Sequence, residues 1–478
     1  MIDKNEILEF AKVFDLPIET VEKDYVLGWI LAGIEQEPAI SSSWLFKGGT
    51  CLKKCYFETY RFSEDLDFTL PDEAQINVGS LKEIFERIAI WIQSQSGVQI
   101  PENAMSFELF QNPRGKSAIQ GKIGYIGPLR RGPGTIAKIK LDLTNDEVVS
   151  LPAAVREVYH PYSDKPEAGI HARCYAYEEL FAEKVRALAE RARPRDLYDV
   201  IHLYRHDHLL TDKKLVLSTL VEKCDFKKIE VPTLEGIEKH PYRGELESEW
   251  ENMLKHQLAA LPPVQSFLDE LPDFFNWLNE LRGVGVEPEE EMAEAETATA
   301  PVLPAPAGRK PEIDTSWTIP ERLTVINRES SIMEKIRFAA ANRLCLDLAY
   351  DRSHRIIEPY AVKRTIEGDL FITAVRHESG QPRNYSFNKI EGIKVTDTPF
   401  NPRGPVEITS GGQLKIKQNV SNARGRNSYA DGPIYIYRCN SCHRLFKRKT
   451  MDGALRSHKN KSGYSCSGSY GAYVRTKY

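Results

Sequence analysis

Phe46-Lys47-Gly48-Gly49-Thr50 begins the stretch that decides the fold, and Arg61-Phe62-Ser63-Glu64-Asp65-Leu66-Asp67-Phe68 ends it. Because side chains alternate between the two faces of a strand, Asp65 and Asp67 are expected on one face, while the Leu and Phe beside them enter a core. Two such carboxylates lie about 7 Å apart and can hold one or two Mg²⁺ ions, which bind carboxylate oxygens together with substrate phosphates. The end of the stretch therefore predicts a strand that carries a metal site.

The turn at Gly48, Gly49 and Thr50 adds a phosphate-binding element. Glycines let backbone N–H groups approach phosphate oxygens, and the Thr50 hydroxyl can donate a further hydrogen bond. Either element alone has an ordinary explanation, since an Asp pair on a strand edge is usually solvated and a Gly pair usually forms only a turn. Together, in this order and this close, they predict the phosphate and metal site of a nucleotidyltransferase.

These motifs resemble those of the AbiEii/AbiGii-type nucleotidyltransferase toxins, a branch of the DNA polymerase β nucleotidyltransferase superfamily. The resemblance is carried by Val21–Leu27 as an opening helix, by Lys47–Asp67, and by Glu183–Leu188 with Arg195–Val200. It implies an α/β (α+β) nucleotidyltransferase domain with a helical C-terminal part, which we place at residues 1–283. The implied cofactor is Mg²⁺ and the implied partner molecule is an NTP.

A third carboxylate completes the predicted metal site. Residues 137–144 alternate as a strand whose Leu141 and Leu143 share one face, which leaves Asp142 on the other. Asp142 could bind a second ion or deprotonate the acceptor hydroxyl, although it could also be a solvated strand residue. The residues predicted to contact the triphosphate are Lys47, Gly48, Gly49, Thr50 and Arg61. The two cations among them could equally be surface charges.

Two further catalytic residues come from the resemblance alone. The family completes its active site with a Lys and an Asp, which correspond to Lys184 and Asp196 here. Lys184 would clamp the triphosphate charge; the alternative is an i, i+4 surface pair. Asp199 is added as a nucleotide-binding residue, although it could instead cap its helix or pair with a basic neighbour.

The bulk properties exclude several classes of protein. At 478 residues, with 41% hydrophobic and 28% charged residues, the chain is expected to form two or three soluble domains. It has no apolar run of about 18 residues and begins without a signal peptide, so no membrane contact is expected. Its eight cysteines are spread unevenly and predict no disulfide framework, which favours a reducing cytoplasm.

The clearest domain boundary is an acidic and then Ala- and Pro-rich segment at 284–314, which predicts a disordered linker. Residues 315–403 follow as short alternating segments that predict a small β-barrel. Their order resembles a WYL domain, an SH3-like barrel, through Ile357–Tyr360 and Asn388–Ile393 among others. The name-giving Trp-Tyr-Leu is Leu370-Phe371-Ile372 here.

The WYL resemblance implies a basic and aromatic surface that binds nucleic acid or a nucleotide-type ligand. Each residue of that surface could equally be an ordinary surface or barrel position. The candidates are Arg355, Tyr360, Arg383, Tyr385 and Lys389.

Residues 404–478 form a basic tail, with 14 Lys and Arg against three Asp and Glu in a chain whose net charge is −4. The tail contains a Cys-x2-Cys…His…Cys set that suits a structural, tetrahedral Zn²⁺. The predicted ligands are Cys439, Cys442, His458 and Cys466. His443 competes as a ligand, but it directly follows a ligand cysteine. The predicted nucleic-acid contacts are Lys447, Arg448 and Lys449.

The leading hypothesis is a Mg²⁺-dependent toxin of a toxin–antitoxin or anti-phage defence system. It would move an NMP from an NTP to an RNA acceptor, first of all tRNA, and an antitoxin protein is a possible partner. The alternative is a nucleotide-sensing, nucleic-acid-binding regulator without transferase turnover. Transfer to a small molecule or a protein is a third reading, which leaves the basic tail without a role.

Overall fold

The computed structural model describes residues 1–112, 114–130, 136–283, 325–365, 368–404, 406–408, 434–448, 454–455, 457–459 and 465–477. The predicted linker at 284–314 and Lys449 lie outside these residues. The chain divides into two compact units, Met1–Ile416 and Lys417–Tyr478. Among the helices in these ranges, none is long and apolar enough to cross a membrane.

A seven-stranded mixed sheet forms the centre of the first unit. Its strands are β1 (Leu45–Lys47), β2 (Asp65–Thr69), β3 (Met105–Gln111), β4 (Ser117–Tyr125), β5 (Ala137–Thr144), β6 (Ala154–Glu157) and β7 (His171–Cys174). They lie in the order β3-β4-β5-β2-β1-β7-β6. Strand β2 is parallel to β5 and antiparallel to β1, and β1 is parallel to β7. The predicted Asp-bearing strand is thus the central strand of the sheet.

Helices cover the apolar face of this sheet. They are α1 (Lys4–Phe14), α2 (Ile18–Gln36) and α4 (Val78–Ser96), while α3 (Gly48–Cys51) and a π-helical turn (Leu52–Tyr56) connect β1 to the chain before β2. Phe46 and Leu66 point into this core and are fully buried. Phe68 follows on the same face, with its ring 5.3 Å from that of Trp44. The alternation along β2 therefore buries the apolar residues and leaves the aspartates on the opposite face.

Helices follow the sheet and confirm the predicted helical C-terminal part of the domain. Its helices are α5 (Tyr177–Arg191), α6 (Pro194–Arg205), α7 (Lys213–Lys227), α8 (Leu234–Glu238), α9 (Glu245–Ser248), α10 (Trp250–Leu254), α11 (Val264–Leu268) and α12 (Leu271–Gly283). Pro194 occupies the first turn of α6, where its missing N–H costs no hydrogen bond. Helices α5 and α6 carry the residues that flank the polar face of the sheet.

A second sheet follows helix α13 (Val325–Asn342) in the same compact unit. Its strands are β8 (Leu344–Tyr350), β9 (Ser353–Arg364), β10 (Leu370–Arg376), β11 (Pro382–Ser386) and β12 (Ile390–Pro399). All neighbours are antiparallel, in the order β11-β10-β9-β8-β12. Among the described residues the edge strands β11 and β12 do not pair, so strand pairing does not close the SH3-like barrel that the sequence predicts.

Helix α13 joins this second sheet to the first domain through polar contacts. The Tyr198 hydroxyl donates to Asn342 Oδ1 at 2.9 Å, and the Thr59 hydroxyl donates to Glu334 Oε2 at 2.8 Å. A buried hydrogen bond is worth about 1 kcal/mol, so these contacts set orientation more than stability.

The second unit is small. Its strands are β13 (Ile434–Cys439), β14 (Leu445–Arg448), β15 (His458–Lys459), β16 (Ser465–Cys466) and β17 (Gly471–Lys477). They form a three-stranded antiparallel sheet, β14-β13-β17, and a separate β15-β16 pair.

Candidate active site

Four polar side chains form one row across the central strands. Lys47 on β1 pairs with Asp67 on β2, Asp67 with Asp142 on β5, and Asp142 with Gln120 on β4. Because paired residues on neighbouring strands point to the same face, the predicted carboxylates converge. Asp65 lies two residues before Asp67 on that face. The Gln120 side-chain amide donates to Asp142 Oδ1 at 3.2 Å and holds that carboxylate in the row.

The two glycines of the turn make room for side chains. Gly48 has a φ of +79°, and a Cβ there would lie 2.2 Å from Asp67 Oδ2. Only glycine therefore allows the backbone to pass beside this carboxylate. A Cβ on Gly49 would lie 2.6 Å from Arg61 Nη2. The Thr50 hydroxyl donates to the backbone carbonyl of Asp65. The structure thus gives these residues packing roles beside the predicted phosphate contacts.

The three carboxylates at this place, Asp65, Asp67 and Asp142, form what we call the carboxylate row, and their negative charges repel one another. Burial, followed by the charges of Asp142 and Asp65, raises the pKa of Asp67 to about 6, although Lys47 and Lys184 act in the opposite direction. Burial also raises the pKa of Asp65. Within the part of the chain that the structure describes, neither side chain has a hydrogen bond or ion pair. Oxygen ligands with mutual repulsion and no cation in contact fit a divalent ion such as Mg²⁺.

Lys47 is an internal counter-charge rather than a surface residue. It is 7% exposed, and its ammonium lies 3.0 Å from Glu183 Oε1 and 3.7 Å from Glu147 Oε1. Burial opposes its charge, but these two carboxylates outweigh it and raise the Lys47 pKa. Burial alone would raise the pKa of Glu183, but the charges of Lys47, Lys223 and Arg186 lower it to about 2. Lys47 therefore stays protonated beside the carboxylate row.

Arg61, Lys184 and Asp199 form one buried cluster. Arg61 makes a bidentate ion pair with Asp199, with N–O distances of 2.6 and 2.7 Å, and Lys184 Nζ lies 2.7 Å from Asp199 Oδ2. The Tyr60 hydroxyl donates to the same carboxylate. Burial alone would raise the pKa of Asp199, but the two cations hold it well below its usual range. Asp199 thus pairs with basic neighbours, and Arg61 is already occupied by an internal partner.

Two arginines that were not predicted as site residues lie near the carboxylates. Arg191 binds Asp196 through N–O distances of 2.7 and 2.8 Å, and its side chain is 52% exposed. Its charge also acts on Asp67. Arg195 is half-buried, and its charge interacts with that of Asp65. The available signal was their position in the basic segment that flanks the matched Asp196 motif. Asp196 itself is fully buried.

The four predicted zinc ligands converge in the second unit. Their ligand atoms all lie within 4.8 Å of one another. The Cys439 and Cys466 sulfurs are 3.8 Å apart, close to the separation of about 3.8 Å that tetrahedral Zn–S bonds require. Cys442 Sγ lies 3.3 Å from His458 Nε2. His443, the competing ligand, is outside this group. The Cys₃His set could therefore hold Zn²⁺.

The five predicted nucleic-acid contacts of the second sheet lie in different environments. Tyr385 is buried, with its ring 5.1 Å from that of Tyr350. Arg355 stacks on the same ring at 5.5 Å. Tyr360 is half-buried, and Arg383 and Lys389 are exposed. Lys447 and Arg448 lie on β14 of the second unit. The sheet therefore brings Arg355 and Tyr385 to one aromatic residue.

Comparison with known proteins places the chain in a family. No curated protein matches it at a significant level. Among solved structures it is similar to MenT4, a nucleotidyltransferase toxin from Mycobacterium tuberculosis H37Rv, with a TM-score of 0.36 and 17% identity over 58% of this chain and 88% of that chain. The assignment does not rest on that likeness. Residues 29–280 match the family described as nucleotidyl transferase AbiEii toxin, type IV toxin–antitoxin system. Since this match spans more than half of the sequence, the chain belongs to the AbiEii nucleotidyltransferase toxin family.

Proposed function

We propose that this protein transfers an NMP from an NTP to an RNA acceptor, with tRNA as the leading candidate, in a reaction that depends on Mg²⁺. The observation that carries the proposal is the row in which Asp67 and Asp142 are paired across β2 and β5, with Asp65 two residues away on the same face. Family membership implies a divalent metal, an NTP and an antitoxin partner.

The carboxylates divide the work by position. Asp65 and Asp67 would hold Mg²⁺, which supplies charge neutralisation on the phosphates. Asp142 would accept the proton of the acceptor hydroxyl, whose oxygen attacks the α-phosphorus while pyrophosphate leaves. Its hydrogen bond from Gln120 fixes the orientation of the accepting oxygen. Lys47, which is bound to Glu183, keeps a positive charge beside Asp67 and offsets part of the repulsion among the carboxylates before substrate binds.

Exposed and half-buried cations are suited to the leaving pyrophosphate. Arg191 and Arg195 carry charge near Asp67 and Asp65, and Arg191 keeps half of its side chain open to solvent. Lys184 is bound to Asp199, and its positive charge also acts on Asp67. These residues replace Arg61 as the proposed triphosphate contacts, since the Arg61 guanidinium is bound on two edges by Asp199 and Gln257.

The C-terminal half would recognise the acceptor. We assign residues 315–403 to a WYL-like domain and 404–478 to a zinc-binding basic tail, separated from the catalytic domain by the segment at 284–314. The tail charge of 14 Lys and Arg against three Asp and Glu favours a polyanion. The proposed contacts to the phosphate backbone of the RNA are Arg383, Lys389, Lys447 and Arg448.

The proposal is tested by incubating the full chain with Mg²⁺, total bacterial tRNA and each α-³²P-labelled NTP in turn. We expect label to enter RNA from one NTP and to be lost in Asp65→Ala/Asp67→Ala. The matched control is Asp72→Ala, an exposed aspartate outside the row. Label in protein would overturn the acceptor but keep the chemistry. Absence of label, with tight nucleotide binding, would favour the regulator instead.

A further inference from the structure

Three cysteines converge next to the turn that carries Gly48 and Gly49. They are Cys51 in α3, Cys55 in the π-helical turn and Cys174 at the end of β7. Their sulfurs all lie within 4.8 Å of one another. Cys51 and Cys174 are fully buried and Cys55 is 6% exposed. Nothing in the proposed transfer reaction uses these thiols.

A helical spacing and a strand pairing bring the three sulfurs together. Cys51 and Cys55 are four residues apart on consecutive helical turns, so their side chains share a face. Cys174 is paired with Phe46 across the parallel β1–β7 contact, which sets it beside the start of the turn. The cluster therefore joins β7 to the segment that carries Gly48.

Polar groups border the cluster and suit an ion with sulfur ligands. The Tyr56 hydroxyl lies 3.9 Å from Cys174 Sγ, and Arg156 Nε donates to the Cys55 carbonyl at 3.2 Å. Three thiolates around a divalent cation leave one negative charge, which the guanidinium of Arg156 would balance. A buried, unbalanced charge would be costly, so this neighbour matters. Thiolates select thiophilic ions over Mg²⁺ or Ca²⁺.

A cleft gives access to the cluster. It has a volume of about 500 Å³, and Cys55 and Arg156 belong to its wall. Other lining residues are Lys54, Tyr56, Glu157 and Tyr159. An ion can therefore reach Cys55, the least buried of the three cysteines, from solvent.

We propose that Cys51, Cys55 and Cys174 form a second metal site, which binds a thiophilic divalent cation of the Zn²⁺ class. Each thiol that ligates the ion releases its proton to solvent. The bound ion ties β7 to the glycine turn and so stabilises the segment next to Asp67. This site is separate from the Cys₃His group of the tail.

The test uses Cd²⁺ as the probe, with the full chain kept reduced by a phosphine. With excess Mg²⁺ present to occupy the carboxylates of Asp65 and Asp67, wild type is expected to bind two Cd²⁺ per chain by equilibrium dialysis. Cys55→Ala is expected to bind one and to lose about half of the thiolate-to-cadmium absorption, since each site supplies three thiolates. The control Cys224→Ala removes a buried cysteine outside both groups and keeps two.

Two further variants keep the result decisive. Cys442→Ala removes the tail site, so the single remaining ion must disappear in Cys442→Ala/Cys55→Ala. Cd²⁺ should raise the Tm of Cys442→Ala but leave the Tm of the double variant unchanged. Cys55→Ala changes the least buried thiol, and its far-ultraviolet circular dichroism checks the fold. The proposal is overturned if folded Cys55→Ala binds as many ions as wild type, or if folded Cys442→Ala binds none.

Discussion

Two acidic clusters of the nucleotidyltransferase domain differ in what balances their charge. Asp199 is fully buried, yet it is bound by Arg61 and Lys184 and its pKa is depressed. Asp67 lies partly open, it is flanked by Asp65 and Asp142, and its pKa is raised to about 6. The first cluster is complete within the protein. The second has an excess of negative charge that a substrate-borne or bound cation would relieve.

This difference teaches how to separate structural from catalytic carboxylates on one chain. In a buried ion pair the charges balance one another inside the protein. Removal of one partner leaves the other buried without a counter-charge and destabilises the fold. Carboxylates that repel one another destabilise the metal-free fold. Such a cluster therefore indicates a functional site rather than a structural one. Lys184 acts on both sets, since it contacts Asp199 and also lowers the pKa of Asp67.

The largest expected effect is on stability. Asp199→Ala leaves Arg61 and Lys184 buried without a counter-charge and should lower the free energy of unfolding by about 3–5 kcal/mol. Chemical denaturation followed by circular dichroism measures it. Asp225→Ala, at an exposed position of α7, is the control and should stay within about 0.5 kcal/mol of wild type. A small loss for Asp199→Ala would mean that the cluster is not structural.

The next effect is on the chemical step. Asp142→Asn keeps the shape of the row but removes its proton acceptor, so kcat for label transfer should fall about 10²–10³-fold while the Tm holds. Asp72→Asn should transfer at the wild-type rate. If Asp142→Asn has the kcat of wild type, Asp142 is not the proton acceptor and its role is structural.

A smaller effect is expected on substrate binding. Arg195→Ala removes a cation near Asp65 and should raise KM for the NTP about tenfold with little change in kcat, which corresponds to about 1.4 kcal/mol. Arg193→Ala, an exposed arginine at the start of α6, serves as the matched control. Equal KM values for the two variants would contradict the proposed triphosphate contact.

The smallest effect concerns pH and stability in the absence of metal. The pKa of Asp67 is higher in the folded state, at about 6, than its ordinary value of 3.8, so the folded state binds the proton more tightly. Stability should therefore rise as pH falls through this window. Asp67→Asn should be more stable than wild type by about 1 kcal/mol at pH 7.5, allowing for partial exposure, and equal to it near pH 3.5. Urea titrations at both pH values measure the difference, and no gain at pH 7.5 would refute the repulsion.

Local alternation was enough to predict much of this arrangement. Strand β5 spans the predicted residues 137–144, and the aspartates of β2 lie on the face opposite the buried Leu66. The contacts made across long sequence separations were not predicted. Arg61 and Asp199 are 138 residues apart, and no local pattern announces their pairing. Strand pairing was not predicted either: only Phe387–Lys389 separates β11 from β12, yet β12 pairs with the distant β8 and, among the described residues, not with β11.

The central claim is that the carboxylate row, and not the Asp199 cluster, binds the divalent cation. Electron paramagnetic resonance of Mn²⁺, titrated with and without NTP, tests it most directly, because oxygen ligands favour Mn²⁺ as they favour Mg²⁺. Wild type should quench the free Mn²⁺ signal, and Asp67→Asn should not, although it remains folded. Unchanged Mn²⁺ binding in folded Asp67→Asn would contradict the account.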